Sequence, residues 1–121
     1  MTENEQILTP SAILGPGGRI AARLPSYEHR AEQLAMSATV EQALAEGKHA
    51  VIEAGTGVGK SFAYLVPAIL AITKDEEGRN PNMQRIVVST HTIALQEQLL
   101  EKDIPLLSSV IPRDFSTVLV K

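Results

Sequence analysis

Over residues 1–24 the apolar and polar positions follow neither the 3.6-residue period of a helix nor the two-residue period of a strand. Ile13-Leu14-Gly15-Pro16-Gly17-Gly18-Arg19-Ile20 places a turn-prone Gly/Pro cluster between short apolar pairs, which predicts an extended arm with a hairpin-like bend. Regular patterning begins after Pro25. Ser26 is a candidate N-cap, and the stretch to Glu46 is dense in Ala, Glu, Gln, Leu and Met, all good helix formers. Met36, Val40 and Leu44 repeat at four residues, with Tyr27, Ala31, Leu34 and Ala38 on an adjoining stripe, so the helix should offer a wide apolar face. Gly47 ends it as a left-handed cap.

His49-Ala50-Val51-Ile52-Glu53-Ala54 is short, mostly apolar and without alternation, as strands of a buried parallel sheet are. A glycine-rich loop then leads into a second helix near Lys60, with Pro67 in its second turn as a source of kinking. Asp75 to Gln84 is a polar loop. Arg85 to Thr90 predicts a second strand, Thr92 to about Lys102 a third helix, and Phe115 to Val120 a last strand. Alternating helices and strands of this kind predict an α/β fold, a parallel sheet flanked by helices.

Composition narrows the class. The 121 residues are 44% hydrophobic and 21% charged, which suits an ordinary globular domain and argues against disorder. Eleven basic against fourteen acidic residues give a net charge of -3, so any nucleic-acid contact must come from a local patch. The absence of Cys removes disulfides and thiolate metal sites from this stretch and suits a reducing, cytoplasmic setting. Met1 to Gln6 is acidic and polar, unlike a secretory leader, and the apolar run from Phe62 to Ile72 is too short to span a membrane. His29, His49 and His91 lack metal-ligand spacing.

The sharpest chemical signal is Ala54-Gly55-Thr56-Gly57-Val58-Gly59-Lys60-Ser61, between a predicted strand and a predicted helix. It follows G-x-x-x-x-G-K-[ST] with Ala in the first position. Glycines let the backbone fold into a nest whose N–H groups, from about Gly57 to Ser61, converge on an anion, and the positive end of the helix dipole points there too. Lys60 can reach the β and γ phosphates of ATP, and the Ser61 hydroxyl can ligate Mg²⁺. A small-molecule kinase would carry such a loop, but it also needs a lid and an acidic base after the second strand, where this chain has Thr90-His91-Thr92. Glu53, beside the loop, should point away from the phosphates or pair with a cation.

The run from Val51 to Ala68 resembles motif I of DinG-like helicases, the XPD-related branch of superfamily two. Tyr27 to Gln33, with Met36, is similar to their Q-motif region, and Ser89 to Leu99 resembles their motif Ia. The resemblance covers about residues 13–121 and implies a RecA-like motor domain, of which residues 25–121 are the first part, behind an arm at 1–24. It implies an ATP-dependent DNA helicase that couples hydrolysis to unwinding or to movement along single-stranded DNA, in DNA repair or replication support. Gln33 would hydrogen-bond the adenine edge, with Tyr27 and Arg30 nearby. An amide carries a donor and an acceptor together, which suits adenine. Thr90 and Thr92, where a strand hands over to a helix, would contact a DNA phosphate, with Thr92 also capping the helix.

Other parts of that family's machinery do not occur in the sequence. No Asp-Glu pair ends a predicted strand, so the acidic motif that holds Mg²⁺ and orients the attacking water is missing. Asp103 and Asp114 have unsuitable surroundings for it. The second motor domain and the four cysteines that hold a [4Fe–4S] cluster in many relatives are also missing. The expectation is therefore an N-terminal fragment of a larger helicase that hydrolyses ATP poorly by itself, or else a non-catalytic nucleotide-binding remnant.

Overall fold

A computed structural model describes residues 8–53, 59–73 and 85–120. The N-terminal segment is not extended. Pro10–Leu14 forms α1, where the Thr9 hydroxyl accepts the Ala12 N–H at 3.2 Å and Pro10 occupies the first turn. The Gly/Pro cluster turns the chain, with the Gly18 N–H on the Gly15 carbonyl at 2.9 Å, and Arg19–Arg23 forms α2. Five residues are too few to show a helical period in a sequence. They fold here because Ile13, Leu14 and Ile20, all 0% exposed, are buried together in the core.

Helix α3, Ala31–Glu46, starts four residues later than Ser26 as N-cap would have it. Its N-cap, Arg30, makes no side-chain capping bond. It ends as expected at Gly47, with φ 66°, where an L side chain would be strained. The face buried most deeply is polar, Gln33 and Ser37, whereas Met36, Val40 and Leu44 are half-buried.

The next helix, α4 (Lys60–Ile72), is buried at Ala63 and at every position from Leu65 to Leu70. A helix that is apolar nearly all round belongs in the middle of a structure, and α4 packs most extensively on α3, with α1 also against it. Pro67 lies inside it, fully buried, and the helix runs on through the position where the Ala63 carbonyl loses its usual partner.

The third predicted helix is longer and less regular than its sequence pattern implied. Thr92 caps α5 (Ile93–Gln98) by accepting the Leu95 N–H at 3.2 Å. A π-helical segment, Leu99–Asp103, follows, in which the Ile104 N–H reaches back to the Leu99 carbonyl. Then comes α6, Ile104–Val110. Pro105 explains the widening: it has no N–H for the Glu101 carbonyl, and its ring crowds that oxygen. Leu99, Leu107, Val110 and Ile111 complete the core begun by α1, α2 and α4. Arg113 then ties the tail back, with Nη1 3.3 Å from the Leu70 carbonyl and 3.4 Å from Thr73 Oγ1 at the C-terminus of α4.

The predicted parallel sheet is not found. The described residues of 48–53, 85–90 and 114–120 carry no strand pairing, and the architecture is helical. Val51 is 101% exposed, Val87 85% and Val118 82%, so these β-prone runs face solvent. The reason lies in where hydrogen bonds come from. A helix satisfies its N–H and C=O groups within its own segment, whereas a strand must find a neighbour, and none of these runs pairs with another here. Apolar, β-branched composition therefore identified segments able to become strands, without supplying the ladder. Among the described residues no helix is long and apolar enough to cross a membrane.

Candidate nucleotide site

The described part of the phosphate loop is its exit into α4. Gly59 has φ 80° and ψ 52°, the left-handed conformation, and Lys60 opens the helix. The backbone angle calls for glycine, and a Cβ on Gly59 would also displace the Gln33 amide nitrogen. Ala54, Gly55, Thr56, Gly57 and Val58, read above as the phosphate cradle, lie outside the described residues, as does the loop 75–84. Lys60 is exposed at the first turn of α4 and Ser61 is half-buried beside it.

Gln33 supports this exit from α3. Its Nε2 donates to the Gly59 carbonyl at 3.0 Å, while its Oε1 lies 2.9 Å from the Tyr27 hydroxyl. That hydroxyl is also 2.8 Å from the Leu14 carbonyl at the end of α1, so its single proton is shared between two acceptors. The Gly59 carbonyl needs a donor, which fixes the orientation of the Gln33 amide. With Gln33 only 3% exposed, one amide N–H and one oxygen lone pair remain without a partner in this network. Burial pushes the Tyr27 phenol up from its ordinary value, and the nearby Arg30 charge pulls it partly back. Arg30 itself reaches Glu28 at 3.5 Å on the surface. Tyr27, Arg30, Gln33 and the loop exit are thus brought together.

On the other side of Ser61 lies a group that the sequence reading set aside. Asp103, at the end of the π-helical segment, is 8% exposed and accepts from Gln98 Nε2 at 3.3 Å. Burial pushes its carboxyl above the ordinary value, and the Gln98 amide, the Ser61 hydroxyl and the Lys102 charge each pull it down. Tyr64, also raised by burial, is drawn down by the same Ser61 hydroxyl. The sequence gives little signal for it: Asp103 follows Glu101-Lys102 directly and lies five residues from Gln98, while Ser61 is distant in the chain.

Thr90 is half-buried and Thr92 exposed, a small step apart where extended chain enters α5; the Thr92 hydroxyl is engaged in the helix cap. Neither is in hydrogen-bond contact with the Gln33 network or Asp103 among the described residues. The described residues contain no group of three or more His, Cys, Asp or Glu able to hold a metal ion. The oxygen donors near the loop, the Ser61 hydroxyl and the Asp103 carboxylate, are nevertheless of the hard type that suits Mg²⁺.

These features define a class of chain: a left-handed glycine handing over to a helix that begins Lys-Ser, braced by an amide from an earlier helix. The family model described as DEAD/DEAH box helicase matches residues 33–112, beginning at Gln33 and ending just past α6, and the chain belongs to that family. It is 46% identical over 92 residues to the ATP-dependent DNA helicase DinG of Escherichia coli (strain K12) and equally to that of Salmonella typhimurium. That match covers 74% of this chain and 12% of each relative. The ATP-dependent DNA helicase YoaA of Escherichia coli is 35% identical over 106 residues, 88% of this chain and 15% of the relative. The chain therefore spans a small part of the length of these curated relatives. No solved structure matches it.

Proposed function

We propose that this chain supplies the nucleotide-binding floor of an ATP-dependent DNA helicase of the DinG and YoaA kind. The observation that carries the reading is the Gln33–Gly59 bond, which joins the only buried amide of α3 to the glycine that launches Lys60 and Ser61. In this reading the residues 54–61 cradle the phosphates, and Lys60 neutralises their charge. The Ser61 hydroxyl holds Mg²⁺, which, when bound, withdraws charge from the phosphate oxygens. Gln33 uses its remaining N–H and lone pair on the adenine edge, with Tyr27 fixing the amide and Arg30 beside it. Thr90 and Thr92 meet a phosphate of single-stranded DNA.

Because the chain has no acidic motif at a strand end, binding without appreciable hydrolysis is its expected behaviour. A fluorescent ATP analogue titrated against the chain, with Lys60→Ala alongside, tests the nucleotide reading. Wild type should bind in magnesium and the variant at least about tenfold more weakly, the loss of a charge-assisted contact. Equal affinities would sink the assignment of the loop. Single-turnover hydrolysis by the chain at a rate near ~1 s⁻¹, within the usual range of working enzymes, would overturn the expectation of binding alone.

A further inference from the structure

Phe115-Ser116-Thr117-Val118-Leu119-Val120 is a run of six residues without a charge, a Gly or a Pro, rich in apolar and β-branched types. Segments of that composition pair through their backbones. The run makes no strand pairing among the described residues, yet its exposure alternates. Phe115 packs against the core and Leu119 is 40% exposed, whereas Val118 and Val120 are 82% and 83% exposed. That two-residue period is what a strand shows when one of its faces leans on its own domain. The run is also held at its start, because Arg113 reaches the Leu70 carbonyl and Thr73 at the end of α4. Its backbone is thus presented to a partner strand.

We propose that the partner strand is the same run of a second copy of this chain, in an antiparallel pair centred on Val118. Charge selects both the partner and the direction. Asp114 precedes the run and Lys121 follows it. An antiparallel pair brings Asp114 of each copy to the end where Lys121 of the other lies, so the attraction occurs twice. A parallel pair would set Asp114 beside Asp114 and Lys121 beside Lys121. A two-fold axis through Val118 also gathers the exposed valines of both copies on one face, with Val118 opposite Val118 and Val120 opposite Ser116. The other β-prone runs lack this match. Lys48 is already engaged by Glu46 at 3.2 Å, and Arg85 to Thr90 carries a positive end without a negative one. A net charge of -3 on 121 residues is too small to hold copies apart at physiological salt. Two-stranded pairing is marginal in water, so the dimer is weak, with a Kd of about 100 μM.

Sedimentation velocity of the full 121-residue chain, from about 10 μM to about 1 mM, tests this. Wild type should pass from monomer to dimer across that range. Val118→Lys places two ammonium groups opposite each other at the centre of the pair and should leave the chain monomeric throughout. Because Val118 faces solvent, the helical circular dichroism and thermal melt of that variant should match those of wild type. Val51→Lys, at an exposed valine of another run, should dimerise as wild type does. Asp114→Lys should weaken dimerisation about threefold or more, and adding Lys121→Asp should restore it, since exchanging the ends recreates both attractions. A chain that stays monomeric to the top of the range overturns the proposal. So does a dimer that survives Val118→Lys or is lost in Val51→Lys. A dimer indifferent to Asp114→Lys, or not recovered in the doubly exchanged variant, overturns the antiparallel arrangement.

Discussion

Gln33 and Gly59 stand 26 positions apart in the sequence and are joined by a 3.0 Å hydrogen bond from the side-chain amide of one to the backbone carbonyl of the other. The bond ties the start of α3 to the launch point of α4. Whatever happens at the phosphate loop is therefore felt at Gln33, and through it at Tyr27 and the end of α1.

Gly59→Ala tests this joint from the loop side. The new methyl would sit in a left-handed backbone and against the Gln33 amide, so the variant should lose about 1–3 kcal/mol in urea unfolding. It should also weaken binding of the ATP analogue, since the helix can no longer start where it does. A variant as stable as wild type would mean that the Gln33–Gly59 approach is looser than 3.0 Å implies.

Tyr27→Phe tests it from the other side. The phenyl ring keeps the packing but leaves the Leu14 carbonyl and Gln33 Oε1 without their donor, at a cost of about 1–2 kcal/mol. The same residue predicts a dependence on pH. Burial raises the Tyr27 phenol in the folded chain, so above about pH 10 the unfolded chain ionises first and the folded state holds more protons. Stability then falls as pH rises through that window. Thermal melts from neutral to alkaline pH should show this fall, and it should be shallower in Tyr27→Phe.

Thr92→Ala and Thr92→Ser separate capping from DNA contact. Loss of the hydroxyl that accepts the Leu95 N–H should cost about 1 kcal/mol, and the serine should recover it. If Thr92 also meets a DNA phosphate, the alanine variant binds fluorescently labelled single-stranded oligonucleotide more weakly and the serine variant binds it normally. Unchanged oligonucleotide affinity in both would leave Thr92 as a cap alone.

Ser37→Ala should make the chain more stable. The Ser37 hydroxyl is 0% exposed and has no hydrogen-bond partner among the described residues. Replacing it with a methyl removes an uncompensated polar group at little change in volume, worth about 1 kcal/mol in the midpoint of chemical unfolding. A destabilised variant would show that the hydroxyl is satisfied after all.

Arg113→Ala should loosen the tail. The guanidinium reaches the Leu70 carbonyl and Thr73 at the negative end of α4, and its removal should cost about 1 kcal/mol. Hydrogen exchange would show the loss first in the last turn of α4 and around Ile111, with α3 little affected.

What the sequence determined by itself were the features whose causes are local. Gly47 ends α3 because only glycine takes a left-handed cap at no cost, Thr92 caps α5 through a hydroxyl three residues from its donor, and the apolar run after Lys60 had to form a buried helix. The phosphate-loop pattern and its likeness to a helicase motif were legible for the same reason, being written in consecutive residues. Tertiary structure decided what depends on distant partners. Ile13, Leu14 and Ile20 folded into short helices only because the core accepted them, and the β-prone runs around Val51, Val87 and Val118 stayed unpaired because a strand borrows its hydrogen bonds from elsewhere. Asp103, set aside on its neighbours in the chain, is buried at the end of the π-helical segment, where its carboxylate accepts from Gln98.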